Sequence, residues 1–517
     1  MGGMELRFLG GARTVTGSQY LLVTDRAKVL VDCGMFQGSP NDSARNRVPF
    51  AFEPKEIDAL ILTHAHLDHC GLIPHLVAEG FKGPIFATKG TLELANLVLL
   101  DSAKLQQEFA DRAARRAQRD PARAARDERR VHKAVDAAIE MADATDPETH
   151  LRGQGPHAHL DVYTPLYLEA DVIRTMALFK PLDYAAPFAV ASGVRATLFD
   201  AGHILGSAMI QLTVSEGGTD TTIVFSGDLG RCDTPLIRDP TALTEADHLV
   251  VESTYGGREH EPEAEALRVL SETVRLVARH KGVMLVPSFA VGRTQEVVFQ
   301  LNRLIESGKI PHLPLYLDSP MASKATAIYR NHAEYFDAES QALLAGKDDP
   351  LDYPGAIVTS DAESSKKIKD AKRPYLIVAS NGMLTGGRVL YHLRDLIDDP
   401  TAVILFVGYQ GDGTLGSHLQ KGVKTVTIMG ESRDVRCTIR SISGFSAHAD
   451  ESELLDWIGR FAQGKRSGDR GFPRTVFIVH GDPEAQQALE PKIKALGLRT
   501  KVPVWREVVQ LRSADPG

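Results

Sequence analysis

Short apolar runs that end in a glycine, aspartate or histidine recur along the chain. Leu6-Arg7-Phe8-Leu9, Tyr20-Leu21-Leu22-Val23, Lys28-Val29-Leu30-Val31 and Ala59-Leu60-Ile61-Leu62 read as strands of a buried sheet. Pro84-Ile85-Phe86-Ala87, Val194-Arg195-Ala196-Thr197-Leu198-Phe199, Thr221-Thr222-Ile223-Val224-Phe225 and His248-Leu249-Val250-Val251 continue the series. Residues 71–80 and 91–105 carry a helical pattern instead. From about Gly256 a second alternation begins. Val283-Met284-Leu285-Val286, Leu315-Tyr316-Leu317, Tyr375-Leu376-Ile377-Val378 and Ala402-Val403-Ile404-Leu405-Phe406-Val407 are separated by helical stretches such as 262–280 and 295–306. That order predicts a parallel sheet. After about Ser446 a helix over 451–461, a Gly/Lys/Arg/Ser loop and the strand Thr475-Val476-Phe477-Ile478-Val479 lead into His480-Gly481-Asp482. The fold class is α/β, with ligand-type residues gathered at strand ends.

A chain of 517 residues exceeds one ordinary core, so two or three domains are expected. No apolar run approaches the ~20 residues that span a bilayer, which predicts no membrane partner. The opening Met1-Gly2-Gly3-Met4-Glu5 is not a secretory signal. Cys33, Cys70, Cys232 and Cys437 lie far apart, as reduced thiols of a cytoplasmic protein do. The first three read as small buried residues. A net charge of −8 argues against a polyanion binder that uses its whole surface, but leaves room for a local basic groove. Residues 104–133 hold ten Lys/Arg against five Asp/Glu around Asp120-Pro121. This tract reads either as a solvated helical hairpin or as an arm that steers a polyanion. His132, His150, His157 and His159 show no ligand spacing and read as surface residues.

Chemistry concentrates in Thr63-His64-Ala65-His66-Leu67-Asp68-His69-Cys70-Gly71. Alternate side chains of an extended segment point the same way, so His64 and His66 can converge on one point. Asp68 and His69 then fall where the chain turns into a helix, and can face a second point. Imidazole with carboxylate is zinc's usual non-sulfur ligand set, and mixed sets suit catalytic sites. Other strands end in Asp32, in Ala201-Gly202-His203 and in Ser226-Gly227-Asp228.

With these residues the sequence resembles the metallo-β-lactamase superfamily, which implies an αββα sandwich with one or two zinc ions at one edge. The resemblance narrows to the β-CASP branch through three further motifs. They are Glu252 in Val251-Glu252-Ser253-Thr254, His448 in Phe445-Ser446-Ala447-His448, and His480 in Val479-His480-Gly481. Pro287-Ser288-Phe289-Ala290-Val291-Gly292-Arg293-Thr294-Gln295-Glu296, Asp318-Ser319-Pro320-Met321 and Ala379-Ser380-Asn381-Gly382-Met383 are similar to motifs of that branch's inserted domain. Gly11-Ala12-Arg13-Thr14-Val15-Thr16-Gly17-Ser18 points to bacterial relatives of the mRNA 3′-end cleavage nuclease. The implied domains are a first metallo-β-lactamase part (1–255, with the Ala/Arg-rich insertion at about 104–160), the β-CASP insertion (256–446) and a C-terminal part (447–517).

The resemblance assigns His64, His66 and His203 to one zinc, Asp68, His69 and His480 to a second, and Asp228 to both. Asp32 would orient a ligand. A hydroxide shared by the two Zn2+ ions would attack phosphorus, with Asp68 counted among the catalytic residues. His448, poised by Glu252, would give the departing oxygen its proton as general acid. Asp32 as a turn cap and Glu252 as an ordinary strand-end carboxylate are the competing readings. His480 goes with RNA substrates in this family. The implied partner is therefore single-stranded RNA held in an interdomain cleft, and a homodimer is also left open. Ser319, Ser380, Gly382, Arg293 and the run Gly408-Tyr409-Gln410-Gly411-Asp412-Gly413-Thr414 are candidate phosphate contacts. Gly416-Ser417-His418 departs from relatives that carry Arg after the glycine. The expected activity is zinc-dependent hydrolysis of single-stranded RNA, cutting from an end or internally. The alternatives are hydrolysis of another ester and a silent RNA-processing scaffold.

Overall fold

The computed structural model describes residues 3–145, 164–408, 410–411 and 413–511. His150, His157, His159, Tyr409 and Asp412 lie outside them. The chain separates into two compact units. The first joins Met1–Cys232, Asp239–Arg258 and His448–Gly517, and the second joins Asp233–Arg238 with Glu259–Ala447.

The first unit is built on two seven-stranded sheets. One runs Glu507–Gln510, Glu5–Gly10, Gln19–Val23, Lys28–Val31, Ala59–Ile61, Ile85–Thr88, Phe179–Leu182 across its width. Its first four strands pair antiparallel and the rest parallel. The other runs Thr500–Lys501, Thr475–Ile478, His248–Val251, Thr219–Phe225, Ala208–Glu216, Val194–Asp200, Phe188–Ala191, parallel first and antiparallel after.

Alternation along these strands supplies the inner core. Leu6, Phe8, Leu22, Val29, Val31 and Ile61 of one sheet pack with Leu198, Ile210, Leu212, Phe225, Val250 and Phe477 of the other. The residues between them point the opposite way. Val224, Leu249, Val251, Val476 and Ile478 meet Leu454, Ile458, Phe461, Leu489 and Ile493 from the helices Glu451–Ala462 and Pro483–Ala495. On the first sheet, the helix Lys89–Arg119 packs against Ile85–Thr88 and Phe179–Leu182. Two sheets back to back with helices outside make an αββα sandwich.

The parallel strands carry the site. Asp32 follows Lys28–Val31, the His-rich motif follows Ala59–Ile61, and Asp228 follows Thr219–Phe225. Glu252 and His480 follow His248–Val251 and Thr475–Ile478. Strands running the same way deliver their ends, and the residues just past them, to the same edge.

The second unit holds a six-stranded, all-parallel sheet ordered Ile357–Val358, Leu315–Asp318, Tyr375–Ala379, Val283–Pro287, Val403–Phe406, Thr438–Ser441. Apolar clusters lie on both faces, one with the helices Glu263–His280 and Arg293–Glu306, the other with Val389–Leu396 and Leu415–Gln420. A sheet buried on both faces needs near-continuous apolar strands, as Val283–Pro287 and Tyr375–Ala379 are.

Several expectations change. The helix expected over 71–80 is two short ones, Leu67–Cys70 and Ile73–Ala78, so Asp68 and His69 lie inside the first. Pro74 has no N–H to give to a continuous helix, and is accommodated in the first turn of the second. The Ala/Arg tract forms a pair of helices, Lys89–Arg119 and Pro121–Thr145, broken at Asp120-Pro121. His132 is half-buried on the second of them. Cys33, Cys70 and Cys437 are buried, but Cys232 is exposed, because it lies in the loop just past Asp228.

Candidate metal centre

Five histidines and two aspartates meet in a small volume. His64 Nε2 lies 3.1 Å from His66 Nδ1, and His203 Nε2 lies 3.2 Å from the same atom. Asp228 faces this group with Oδ2, 3.5 Å from His64 Nε2 and 3.6 Å from His203 Nε2. Its other oxygen, Oδ1, faces His69 Nε2 at 3.2 Å and His480 Nε2 at 3.5 Å. Asp68 completes the second group, 4.0 Å from His480 Nε2. Each group could hold a cation, its ligand atoms all lying within 4.8 Å of one another. Asp228 thus turns one oxygen towards each group.

The electrostatics fit metal ligands. His64 and His480 are buried, which keeps their imidazoles neutral; His480 is pushed down to about 3. A neutral ring nitrogen offers the lone pair that coordination requires. Burial acts against charge on His69 too, but Asp228 and Asp32 outweigh it and hold its pKa well above the usual range. In the metal-free protein this proton stands where a cation would. Burial would raise Asp228, yet His480, His69 and His64 hold it well below the ordinary carboxylate value. Asp68 is pushed up to about 6 by burial. His69 Nε2 and Asp228 Oδ1 are buried and face each other at 3.2 Å, a poorly aligned contact that a shared cation could replace. The donor set of imidazoles and carboxylates is one that zinc accepts.

A ring of supporting contacts fixes these side chains. Asp32, fully buried, accepts from Thr63 N (2.8 Å), from Thr63 Oγ1 (2.9 Å) and from His69 Nδ1 (2.8 Å). Its contacts thus reach from the backbone turn at Thr63 to the ring of His69. Ser18 plays the matching part for His480, with Oγ 2.8 Å from Nδ1. Thr63 touches Asp32, His64 and His69 together. Asp32 and His480 both adopt the left-handed backbone conformation, with φ of 58° and 46°. For non-glycine residues that costs about 1–3 kcal/mol, typically where a site demands it. Here the kink at each strand end turns the side chain into the cluster. Gly34 allows the closest approach: a Cβ there would lie 1.6 Å from Asp68 O.

His448 and Glu252 stand beside the cluster. His448 Nδ1 is 3.2 Å from Glu252 Oε1 and 4.0 Å from Asp228 Oδ2. Glu252 is fully buried and also accepts from Leu229 N (2.7 Å) and Thr254 N (3.2 Å). Burial would lower His448, but Glu252 and the carboxylates beyond it raise its pKa. Two residues on, Asp450 forms a reciprocal capping box with Glu453 at the start of Glu451–Ala462, and this fixes the loop that carries His448.

The candidate phosphate contacts lie in the second unit. Ser319 and Ser380 share a hydrogen bond of 3.0 Å, and Ser319 also caps Pro320–Asn331. Gly382 packs closely on Phe289. Arg293 is buried and its guanidinium is paired with Glu296. Sequence reasoning missed Ser18 and Thr63 as supporting groups. Each stands next to a residue of the strongest motifs, but nothing in one-dimensional spacing shows where a hydroxyl points.

A doubly layered sandwich with this histidine and aspartate cluster defines a metallo-hydrolase of the β-lactamase type. The metallo-β-lactamase superfamily pattern matches residues 12–256, the Beta-Casp domain residues 294–419, and the Zn-dependent metallo-hydrolase RNA specificity domain residues 432–503. A ribonuclease of Thermus thermophilus is 35% identical over 497 residues, covering 96% of each chain. Transcription termination factor FttA of Methanosarcina mazei is 31% identical over 97% of this chain and 71% of its own. The same factor from Pyrococcus abyssi is 32% identical over 98% and 71%. A solved structure from Enterococcus faecalis aligns over 99% of this chain at 13% identity with a TM-score of 0.49, which adds nothing to the assignment. The chain belongs to the β-CASP ribonuclease family of the metallo-β-lactamase superfamily. Among the described residues no helix is long and apolar enough to cross a membrane.

Proposed function

We propose that this protein hydrolyses phosphodiester bonds of single-stranded RNA with two zinc ions, leaving 5′-phosphate and 3′-hydroxyl ends. The observation that carries the reading is the division of Asp228 between two ligand groups. His64, His66 and His203 would hold one ion, Asp68, His69 and His480 the other, and Asp228 both. Bound zinc supplies a water that ionises near neutral pH and offsets charge on the phosphate.

The chain's own residues do the rest. Asp32 and Ser18 keep the Nδ1 protons of His69 and His480 in place, so both rings turn Nε2 to the cluster. Asp68 adds a carboxylate on that side. His448 hands a proton from Nε2 to the departing 3′-oxygen as the P–O3′ bond breaks. Glu252, on Nδ1, stabilises the charged imidazolium beforehand and orients the ring. Ser319, Ser380 and Gly382 are the proposed phosphate contacts of the second unit. Arg293 is a fourth, its guanidinium oriented by the pairing with Glu296. The names of the relatives, a ribonuclease and transcription termination factors, support RNA as the polymer.

His448→Ala tests the reading. Zinc content by emission spectroscopy should stay at two per chain, while cleavage of end-labelled RNA falls by about 10²–10⁴. Full activity in the variant would remove the proton-donor role. A wild-type chain purified without zinc and unable to bind it would favour a silent scaffold.

A further inference from the structure

Half of the helical pair formed by Lys89–Arg119 and Pro121–Thr145 builds no core. Every buried side chain of the first helix lies between Gly90 and Ala103. Those of the second are Val135, Ala138, Ile139 and Ala142. These four pack with Phe36, Ala44, Val48 and Trp505 and so anchor the pair at its base. Residues 104–134 hold no buried side chain. The first helix therefore runs on for 16 residues, or about 24 Å, along which only Gln106, Ala110, Ala113 and Ala117 are even half-buried.

That half without buried side chains is where the arginines are. Arg112, Arg115, Arg116 and Arg119 follow i, i+3, i+4, i+7 spacing, which places them on one stripe of the first helix. Arg123, Arg126 and Arg130 make a similar stripe on the second. All seven are exposed. Glu108 reaches Arg112 at 3.1 Å, and among the described residues no other ion pair involves these arginines. Residues 112–130 hold eight arginines against Asp120, Asp127 and Glu128, a local excess of five on a chain whose net charge is −8. Like charges four apart, as in Arg112–Arg116, Arg115–Arg119 and Arg126–Arg130, oppose the helix that carries them. A bound polyanion relieves that repulsion. At the root side of the stripe, Phe109 is 58% exposed, with the Arg112 guanidinium 4.9 Å from its ring centre.

We infer that the distal half of this helical pair is a docking arm for single-stranded RNA, separate from the hydrolytic cluster. The inference rests on the ribonuclease reading for its choice of polymer. Guanidinium groups match phosphate geometry, and an exposed aromatic face beside them accepts a stacked base. An acidic protein would use the charge but not Phe109.

The test is binding of a fluorescein-labelled 30-nucleotide RNA to the full chain, by anisotropy across a salt series. The R112Q/R115Q/R116Q/R119Q variant should bind more weakly at low salt. Its slope of log affinity against log salt should be shallower by up to about 3, since each phosphate neutralised on a single strand contributes about 0.7. Arg→Lys at the same four positions should restore most of the slope, and Phe109→Ala should weaken binding without changing it. Equal melting temperature and zinc content would show that the variants fold. A wild-type slope in the glutamine variant overturns the arm while leaving the ribonuclease reading intact. Failure of the unmutated chain to bind RNA overturns both. Displacement of RNA by polyglutamate at equal charge concentration overturns the RNA assignment in favour of an acidic protein.

Discussion

Replacing Asp32 by Asn should uncouple the fold from the metal site, because it turns an acceptor oxygen into an NH2 donor and removes one negative charge with almost no change of volume. The carboxylate accepts three hydrogen bonds, from Thr63 N to Oδ1 and from Thr63 Oγ1 and His69 Nδ1 to Oδ2. An amide placed with its oxygen towards Thr63 N keeps the first. Its NH2 then stands where Oδ2 was. Thr63 can adapt by accepting instead of donating, but His69 can adapt only by giving up its Nδ1 proton and keeping the one on Nε2. That proton points at Asp228 Oδ1, 3.2 Å from Nε2, and occupies the lone pair a metal needs. Restoring the useful tautomer sets N–H against N–H in a buried site, at a cost of about 1–3 kcal/mol. Zinc affinity should therefore fall roughly 10–100-fold. Competition with a calibrated chelator measures it, and nitrogen-15 spectra of the metal-free variant report the tautomer. Wild-type affinity together with an Nδ1–H tautomer would refute the reasoning.

Ser18→Ala should release zinc from the His480 side first, with affinity for one of two ions reduced about 10–100-fold; equal loss of both ions under chelation would contradict this. Gly34→Ala should destabilise by more than about 3 kcal/mol, since a Cβ 1.6 Å from Asp68 O forces the backbone apart. Urea unfolding checks it, and a change within 1 kcal/mol would show that the approach is looser. Acid sensitivity should come in part from His248, 4% exposed and pushed down to about 4 chiefly by burial. The unfolded chain takes up this proton near pH 6.5 while the folded one refuses it, so the stability it contributes is whole above pH 6.5 and drains away towards pH 4. That amounts to about 2–3 kcal/mol. His248→Phe should shrink the drop in unfolding free energy between pH 7 and 4.5 by about that amount, and an equal drop in both proteins would exclude His248 as the cause.

The His-rich motif could be read from sequence because alternate positions of an extended segment share a face and zinc takes a narrow set of side chains. Asp228, His203 and His480 carried a weaker signal, each being one residue in a short polar turn, and the family resemblance tied them together. Arg293 shows the opposite case. Its position in a motif suggested a phosphate contact, and only the helix shows that Glu296, one turn away, pairs with its guanidinium. The strand Glu507–Gln510 escaped notice because half of its residues are exposed, and its pairing with Glu5–Gly10 spans nearly the whole chain.

By itself the sequence determined the α/β class, the change of character near residue 256 and the chemistry of the cluster. These depend on periodicity, composition and ligand type, which are local properties. Only the tertiary structure decided which oxygen of Asp228 faces which histidines, that Ser18 supports His480 across 462 positions of chain, and that the arginine-rich helices have buried side chains only at their root. Hydrogen-bond direction and burial are set by what the rest of the fold brings alongside, and no one-dimensional pattern carries that information.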